Sequence, residues 1–400
     1  MNNCSKAKVS KFNNLLFCYD GPLSKSGNDY YGSALNNDLF SRYKVFSDNI
    51  SIAIRVRTLS DNKTKNGLME ISKEYGVCEL PNIKSIKGLL KKRVFNEKLK
   101  TAIISSDYVI VRLPSSVGDV AVKYCRKLGK PYMIEMVGCA WDSYWNHGLI
   151  GKIFAPFSFF KTKRIVKKSK NVVYVSNYFL QRRYPTDGDS ISCSDVVIKT
   201  YDEQCVCERI KKIEALKDLK QIVIGTIGGV DVEAKGQKYV IDAISALKKK
   251  GFNIKYQLVG GGDPSKLIKR AARKHVEKNI EVLGPKKHDE IFNWLKTIDV
   301  YVQPSTQEGL CRSIIEAMSC ACPVIASNAG GNSELIDNAL VFKKKKTKQV
   351  QMLISNLSKD LLVDEARNNY CNSKQYGAEL LKNRRSVFYK KVMQELVASR

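Results

Sequence analysis

Histidine is scarce in this sequence of 400 residues, and acidic side chains are heavily outnumbered. The chain has 3 histidines, and its 39 Asp and Glu face 68 Lys and Arg, so the formal net charge is +29. So few histidines argue against a structural metal site. The excess of positive charge instead indicates an anionic membrane, an anionic substrate or nucleic acid as a partner, or simply a solvated basic surface.

Long apolar runs are absent as well. No run reaches the roughly 18–20 residues that span a bilayer. The polar segment 1–11 has no apolar core of a secretory signal, so we expect a cytoplasmic protein. Most of the twelve cysteines, such as Cys18 and Cys125, lie in apolar runs where cysteine behaves as a small hydrophobic residue.

The second half of the chain alternates between short β-branched runs, several closed by glycines, and runs with helical periodicity. Strict alternation predicts an α/β fold with a parallel sheet covered on both faces. Ligands of such sheets bind beyond the carboxyl ends of the strands. The predicted strands are 221–229, 253–262, 280–284, 299–304 and 323–326, and the predicted helices are 203–217, 236–250, 265–275, 288–296, 312–319 and one opening at 331–336.

The first half repeats this alternation less clearly. A loop rich in small residues is expected from Gly21 to Gly32, after the first strand. The polar segment 187–202 is interpreted as the interdomain linker, and 375–397 as an amphipathic C-terminal helix. The predicted strands here are 14–19, 50–56, 107–112, 131–137 and 171–176.

Two glutamates follow the predicted strand 299–304. Glu308 lies in the loop after that strand, and Glu316 lies on the next helix, about two turns further on. A carboxylate can accept hydrogen bonds from a vicinal diol, and both a sugar ring and a ribose offer such diols. Two solvated surface glutamates are the simpler interpretation. However, Glu316 lies between Ile315 and Ala317, and a carboxylate in so apolar a helix needs a partner.

The run Glu-Gly-Leu-x-Arg-x-x-x-Glu-Ala-Met-x-x-x-x-Pro-Val-Ile, which begins at Glu308, is followed by Gly330-Gly331-x-x-Glu334. Together these motifs resemble the signature of retaining glycosyltransferases of family 4. The resemblance covers nearly all of 220–340, and it is closest to bacterial capsule and O-antigen polysaccharide enzymes. It implies a metal-independent hexosyltransferase that uses a nucleotide-diphosphate sugar and no other cofactor.

The resemblance also implies the GT-B fold. In this fold, two Rossmann-like domains with parallel sheets face each other across a cleft, and the C-terminal helix crosses back to the first domain. We expect an acceptor-binding domain at 1–195, a nucleotide-sugar-binding domain at 203–374 and the returning helix at 375–400.

The resemblance implies roles for individual residues. Glu316 would bind the ribose hydroxyls, Glu308 would contact the hydroxyls of the donor sugar, and Lys235 would neutralise the leaving diphosphate. The amides of Gly330 and Gly331, expected at a helix start, would add donors there. Further donor-binding candidates are Gly228, Gly229, Gly309, Leu310 and Arg312.

One position departs from the family pattern. Thr226 stands where members often have an arginine shortly after the strand. Arg312 is the candidate that would share the phosphate role in its place.

The acceptor is expected in the first domain. Trp141 could stack on a sugar face, and Asp142 or His147 could orient a hydroxyl, although a turn with its tryptophans packed in the core is an equally good interpretation. The loop that begins at Gly21 would close over the phosphates. The expected acceptor is a glycan or a polyprenyl-diphosphate-linked sugar.

Two segments, 86–95 and 153–168, combine lysines with apolar residues, a pattern that suits an anionic membrane surface. Aromatics packed in the core beside solvated lysines are an equally good interpretation. The membrane interpretation predicts peripheral attachment to the inner face of the cytoplasmic membrane. Two alternatives remain at this point. A nucleotide-sugar epimerase of the same fold would need no acceptor, and a basic nucleic-acid-binding protein would leave the paired glutamates unexplained.

Overall fold

The computed structural model describes residues 11–32, 35–59, 68–83, 88, 90–146 and 148–398. Two largely parallel sheets, each covered by helices, organise this part of the chain. The strands are β1 Asn14–Ser26, β2 Asp29–Gly32, β3 Asn49–Thr58, β4 Met69–Glu70, β5 Gly76–Leu80, β6 Tyr108–Leu113, β7 Tyr132–Met136, β8 Asn171–Tyr174, β9 Asp189–Ser192, β10 Val223–Ile227, β11 Lys255–Val259, β12 Ile280–Gly284, β13 Val300–Gln303, β14 Val324–Ser327 and β15 Val341–Phe342. The α-helices are α1 Asn37–Ser41, α2 Lys92–Ile104, α3 Ser116–Lys127, α4 Ala140–Trp145, α5 Gly148–Lys167, α6 Phe179–Arg183, α7 Gln204–Glu214, α8 Gln237–Lys248, α9 Ser265–Arg273, α10 His288–Thr297, α11 Arg312–Ser319, α12 Thr347–Ser355, α13 Lys359–Ser373 and α14 Ala378–Ala398.

The second sheet has the strand order β12-β11-β10-β13-β14-β15, and all of its neighbouring strands are parallel. Its inner strands β13 and β14 are buried along their whole length, as expected for β-branched runs covered by helices on both faces. The order reverses between β10 and β13, so the loops after these two strands meet at a switch point. All five strands predicted for this half are confirmed.

The first sheet contains the parallel series β5-β3-β1-β6-β7-β8-β9. The loop predicted from Gly21 to Gly32 is wrong. Instead, β1 continues to Ser26 through an irregularity between Tyr19 and Leu23, and β2 then pairs with it in antiparallel fashion. Leu23 and Ser24 are buried in the first strand of this hairpin, and Tyr31 is buried in the second.

Two further predictions need correction. The predicted linker 187–202 contains β9, which pairs with β8 along the edge of the first sheet. The helix predicted at 331–336 is only a 3-10 turn, Asn332–Glu334. This turn is held from outside, because the Glu334 carboxylate accepts the backbone amides of Asn177, at 2.7 Å, and of Phe179.

The C-terminal helix α14 packs against the first domain, as the resemblance implied. The Tyr389 ring lies 4.8 Å from the Phe46 ring, and the Tyr389 hydroxyl donates to Glu135 Oε1 at 3.1 Å. Where the chain returns, the Ala378 amide donates to the Ile198 carbonyl at 2.9 Å, next to a parallel bridge between Ile198 and Gly377. The two segments that connect the domains therefore run side by side.

The cysteines in the described ranges are free thiols. Within those ranges, no group of three potential metal ligands comes together, and no helix is long and apolar enough to cross a membrane.

One buried carboxylate in α13 makes stability depend on pH. Glu365 is 4% exposed, and its Oε2 has no hydrogen-bond partner. Burial, assisted by the charges of Asp337 and Asp364, raises the pKa of Glu365 to about 7. The folded carboxyl keeps its proton to a higher pH than the unfolded one does. Its contribution to stability is therefore present at low pH and lost as the pH rises through about 7.

We expect Glu365→Gln to raise the free energy of unfolding by about 1–3 kcal/mol at pH 8 and to change it little at pH 5, because the amide removes the buried charge. Urea unfolding at the two pH values measures this difference. Glu379→Gln, at an exposed position of α14, is the matched control and should be nearly neutral at both. An equal gain at pH 5 and pH 8 would contradict the titration argument.

Candidate active site

The loops after β10 and β13 are tied together at the switch point. The Thr306 amide donates to the Ala234 carbonyl at 2.7 Å, and Lys235 Nζ lies 2.8 Å from Glu308 Oε1. Gly236 ends the turn that carries Lys235 with a φ of +74°, and a Cβ there would lie 2.0 Å from the Pro304 carbonyl oxygen. The turn therefore requires glycine at this position to bring the lysine and the glutamate together.

Within the described chain, Glu308 receives its side-chain hydrogen bonds on one oxygen. Besides Lys235, the Ser305 hydroxyl donates to Oε1 at 2.7 Å and the Gln303 amide reaches it at 3.5 Å. The side chain is 12% exposed, and Oε2 has no hydrogen-bond partner within the described part of the chain. The carboxylate is thus fixed by one oxygen and open through the other.

Lys235 is held as a cation. Burial alone would lower the pKa of Lys235, but the adjacent Glu308 outweighs it, so the pKa is raised. Gly228 leaves space for the aliphatic part of the Lys235 side chain, because a Cβ on Gly228 would lie 2.9 Å from Lys235 Cγ. The Gly229 amide, next along the chain, has no acceptor among the residues that the structure describes.

Glu316 lies on α11, the helix that follows the Glu308 loop, and is only partly buried. Burial raises the pKa of the Glu316 carboxyl, with Arg312 and His288 acting in the opposite direction. Its carboxylate makes no hydrogen bond within the described ranges. Arg312 is the exposed first residue of the same helix and forms no ion pair there, whereas Leu310 is buried. The first turn of α11 therefore presents a free cation, and its second turn presents a free carboxylate.

Thr226 does not occupy a phosphate position. It lies inside β10, is 1% exposed, and its hydroxyl bonds with Tyr256 at 2.7 Å and with the Val302 carbonyl. The expectation that Thr226 follows the strand is therefore wrong. The threonine contributes to the core of the second domain and does not reach the mouth of the site.

The loop of Glu308 fits closely against the first domain and against the turn after β14. A Cβ on Gly309 would lie 2.2 Å from the Val137 carbonyl oxygen, and a Cβ on Gly330, at φ +59°, would lie 2.3 Å from the Glu308 carbonyl oxygen. The Gly331 amide donates to the Gly309 carbonyl at 2.8 Å, so it is already used, whereas the Gly330 amide has no acceptor in the described part of the chain.

A cleft of about 570 Å³ opens between this loop and the first domain. Gly21 and Tyr19 line it at the irregular point of β1, opposite Glu308 and Arg312. A Cβ on Gly21 would lie 2.8 Å from the Tyr19 ring, so the absence of a side chain lets the ring approach this closely.

The floor of this cleft contains an ionic cluster that the sequence did not reveal. Asp195 contacts Arg112, lies 2.6 Å from Arg42, and also approaches Arg385 of α14. Burial would raise the pKa of Asp195, but these arginines hold it well below its usual range. Arg57 lines the same cleft, is exposed, and has no carboxylate partner within the described ranges.

The aromatic segment after β7 is only partly packed, because Trp141 is half-buried whereas Tyr144 and Trp145 are exposed. The Trp141 and Trp145 rings are stacked 5.0 Å apart. Asp142 is 4% exposed and pairs with Lys344 of the second domain at 3.1 Å. It is thus occupied by a lysine rather than open to an acceptor hydroxyl. His147 lies outside the described residues.

Comparison with known proteins identifies the family. A family model described as "Glycosyl transferases group 1" matches residues 208–375. Protein CapJ of Staphylococcus aureus is 33% identical over 392 residues, which cover 95% of this chain and 97% of CapJ. This chain belongs to the group 1 glycosyltransferases.

A second relative matches this glycosyltransferase over a shorter region. It is the "Capsular polysaccharide biosynthesis glycosyltransferase CapH" of S. aureus, 34% identical over 108 residues, which cover 26% of this chain and 30% of CapH. Among solved structures, Anabaena Alr3699/HepE in complex with UDP and glucose is 16% identical, with a TM-score of 0.61 over 96% of this chain and 99% of that one. The two-domain GT-B fold is therefore shown along nearly the whole glycosyltransferase.

Gly309→Ala should weaken the contact between the two domains of this glycosyltransferase, because its Cβ meets a backbone oxygen that cannot turn away. We expect a loss of about 1–3 kcal/mol in the free energy of unfolding, together with reduced activity. Gly261→Ala is the matched control, since nothing lies within 4 Å of its Cβ and its φ is not positive. Thermal unfolding of both variants measures the difference, and equal melting temperatures would refute the close-contact interpretation.

Proposed function

We propose that this enzyme transfers a hexose from a nucleotide-diphosphate sugar to a glycan or polyprenyl-diphosphate-linked acceptor, with retention of configuration and without a metal ion. The observation that carries the proposal is the pair of available acceptors, the second oxygen of the Lys235-bound Glu308 and the Glu316 carboxylate, with the cation Arg312 on the helix of Glu316. The CapH relative supports a role in surface polysaccharide synthesis.

The nucleotide is proposed to bind along α11. Glu316 would accept hydrogen bonds from the two ribose hydroxyls, and this would satisfy a carboxylate that has no protein partner in the described ranges. Such charge-assisted bonds are worth about 1.5–3 kcal/mol each.

The diphosphate would lie at the switch point. Lys235 and Arg312 supply positive charge there, and the amides of Gly229 and Gly330 have no acceptor in the described chain, so they are available as donors. Negative charge builds up on the leaving diphosphate in the transition state, and fixed cations and amides aimed at it lower the barrier. This arrangement supports transfer without a metal ion.

The donor sugar would lie over Glu308, whose Oε2 is free to accept from its hydroxyls. The acceptor would enter from the wall that carries Tyr19 and Arg57. Asp195 is poorly suited to act as a base, because the neighbouring arginines lower its pKa and so make it a weak proton acceptor. We propose that the acceptor hydroxyl passes its proton to the leaving phosphate on the same face of the sugar, which is the route to retention.

Glu316→Gln should reduce nucleotide affinity by about 10–100-fold, since the neutral amide accepts weaker bonds from the ribose. Thermal shift with UDP, GDP and their sugars identifies the nucleotide that stabilises the wild type, and the variant should lose that shift. Glu379→Gln serves as the control for loss of a surface charge. An unchanged shift in Glu316→Gln would remove Glu316 from the nucleotide site.

Glu308→Gln should lower kcat by about 10²–10³-fold and change nucleotide affinity much less, because its contacts are with the sugar and with Lys235. The measurement is sugar release or transfer from the nucleotide-sugar selected by the thermal shift. A variant with wild-type kcat would end the assignment of Glu308.

The anomeric configuration of the product, read by NMR, decides between retention and inversion. Interconversion of free nucleotide-sugars without an acceptor would indicate an epimerase.

A further inference from the structure

Helix α5 carries more exposed large apolar side chains than any other helix of the described chain. Six large apolar side chains on it are more than half exposed, with Leu149 at 78% and Ile153 at 74%. At 100° per residue they fall within an arc of about 140°. The six are Leu149, Ile150, Ile153, Phe154, Phe157 and Phe160.

The opposite side of α5 is an ordinary buried helix face. Ala155, Ile165 and Val166 are buried, and the Phe159 ring packs 6.1 Å from Trp141 and 5.4 Å from Tyr184. The helix is therefore firmly attached to the first domain by one face. Its other face cannot be explained as core, and an exposed patch of this size marks an interaction surface.

Charge on α5 is of one sign. The helix contains no acidic residue, and beyond Phe160 the outer arc passes to Lys161, Arg164 and Lys167. Lys161 pairs with Asp119 at 2.7 Å, whereas Arg164 and Lys167 have no acidic partner in the described ranges. At the other end of the patch, Trp145 is 37% exposed. An apolar arc bordered by cations and an indole ring complements an anionic lipid interface.

We propose that α5 inserts its outer arc, as a monotopic helix lying along the surface, into the anionic leaflet of a membrane. The six exposed apolar side chains of the outer arc enter the boundary between the head groups and the acyl chains. The cations after Phe160 bind lipid phosphates. A protein surface would need acidic groups to match these cations, whereas an anionic bilayer offers both the apolar depth and the charge.

This docking deepens the proposed function and rests on it in one respect. An acceptor linked to polyprenyl diphosphate stays in the bilayer, so an enzyme held there by its acceptor domain meets the acceptor in two dimensions. The docking itself requires only α5 and can be tested separately from catalysis.

The test is flotation of the full-length protein with phosphatidylglycerol–phosphatidylcholine vesicles and with phosphatidylcholine vesicles. We expect salt-sensitive binding to the anionic vesicles only. The triple variant Ile153→Ser, Phe154→Ser and Phe157→Ser should lower the partition coefficient about tenfold or more. Ile268→Ser with Met352→Ser is the matched control, because these side chains of the second domain are 47% and 52% exposed.

Three results would overturn the proposal. One is failure of the wild type to float with anionic vesicles, and another is equal flotation of the triple variant and the wild type. The third is a wild-type dimer in light scattering that becomes a monomer in the triple variant, because the arc would then be a contact between two copies of the protein. The thermal shift by nucleotide should be unchanged in the triple variant, which confirms that it is folded and separates failed docking from a failed donor site.

Discussion

The ion pair between Lys235 and Glu308 joins the two loops that meet where the strand order of the second sheet reverses. It uses one oxygen of the glutamate and leaves the other facing the cleft. It also keeps the lysine charged although the side chain is largely enclosed. Because each partner fixes the other before any ligand arrives, the site needs little reorganisation at the moment of reaction, which is the main source of electrostatic catalysis.

The same loop depends on close backbone contacts with the first domain. Gly309 and Gly330 lie where no Cβ fits, and Glu334 caps the amides of Asn177 and Phe179 across the domain boundary. The proposed donor site is therefore not a property of the second domain alone. Its geometry is set by how the two domains meet, which explains why so many glycines gather around one glutamate.

Prediction from the sequence succeeded where a pattern is local. The β-branched runs of the second half located its strands, and the motif from Glu308 to Glu316 predicted a candidate site in the loop after β13 and on α11. Prediction failed where the deciding partner is distant in sequence. Asp195 was placed in a polar linker because Arg42, Arg112 and Arg385 approach it only in the folded chain.

Two other failures have local explanations. The hairpin after Tyr19 was missed because small residues satisfy both a loop and a strand that packs closely against a neighbour. The turn 332–334 was predicted as a helix because its glycines resemble a helix start, whereas the outside partners of Glu334 stop it after one turn. In both cases the sequence pattern was compatible with two backbone conformations, and tertiary contacts selected one of them.

The paired crossing of the chain at Ile198 and Gly377 limits how the domains can move. A single covalent link would allow rotation about any axis, but two hydrogen-bonded segments resist torsion about the line that joins the lobes. Bending across the pair remains the softest motion. The proposed release of nucleotide would then occur by a hinge motion that opens the cleft. The lateral alignment of the two cleft walls would be preserved for the next cycle.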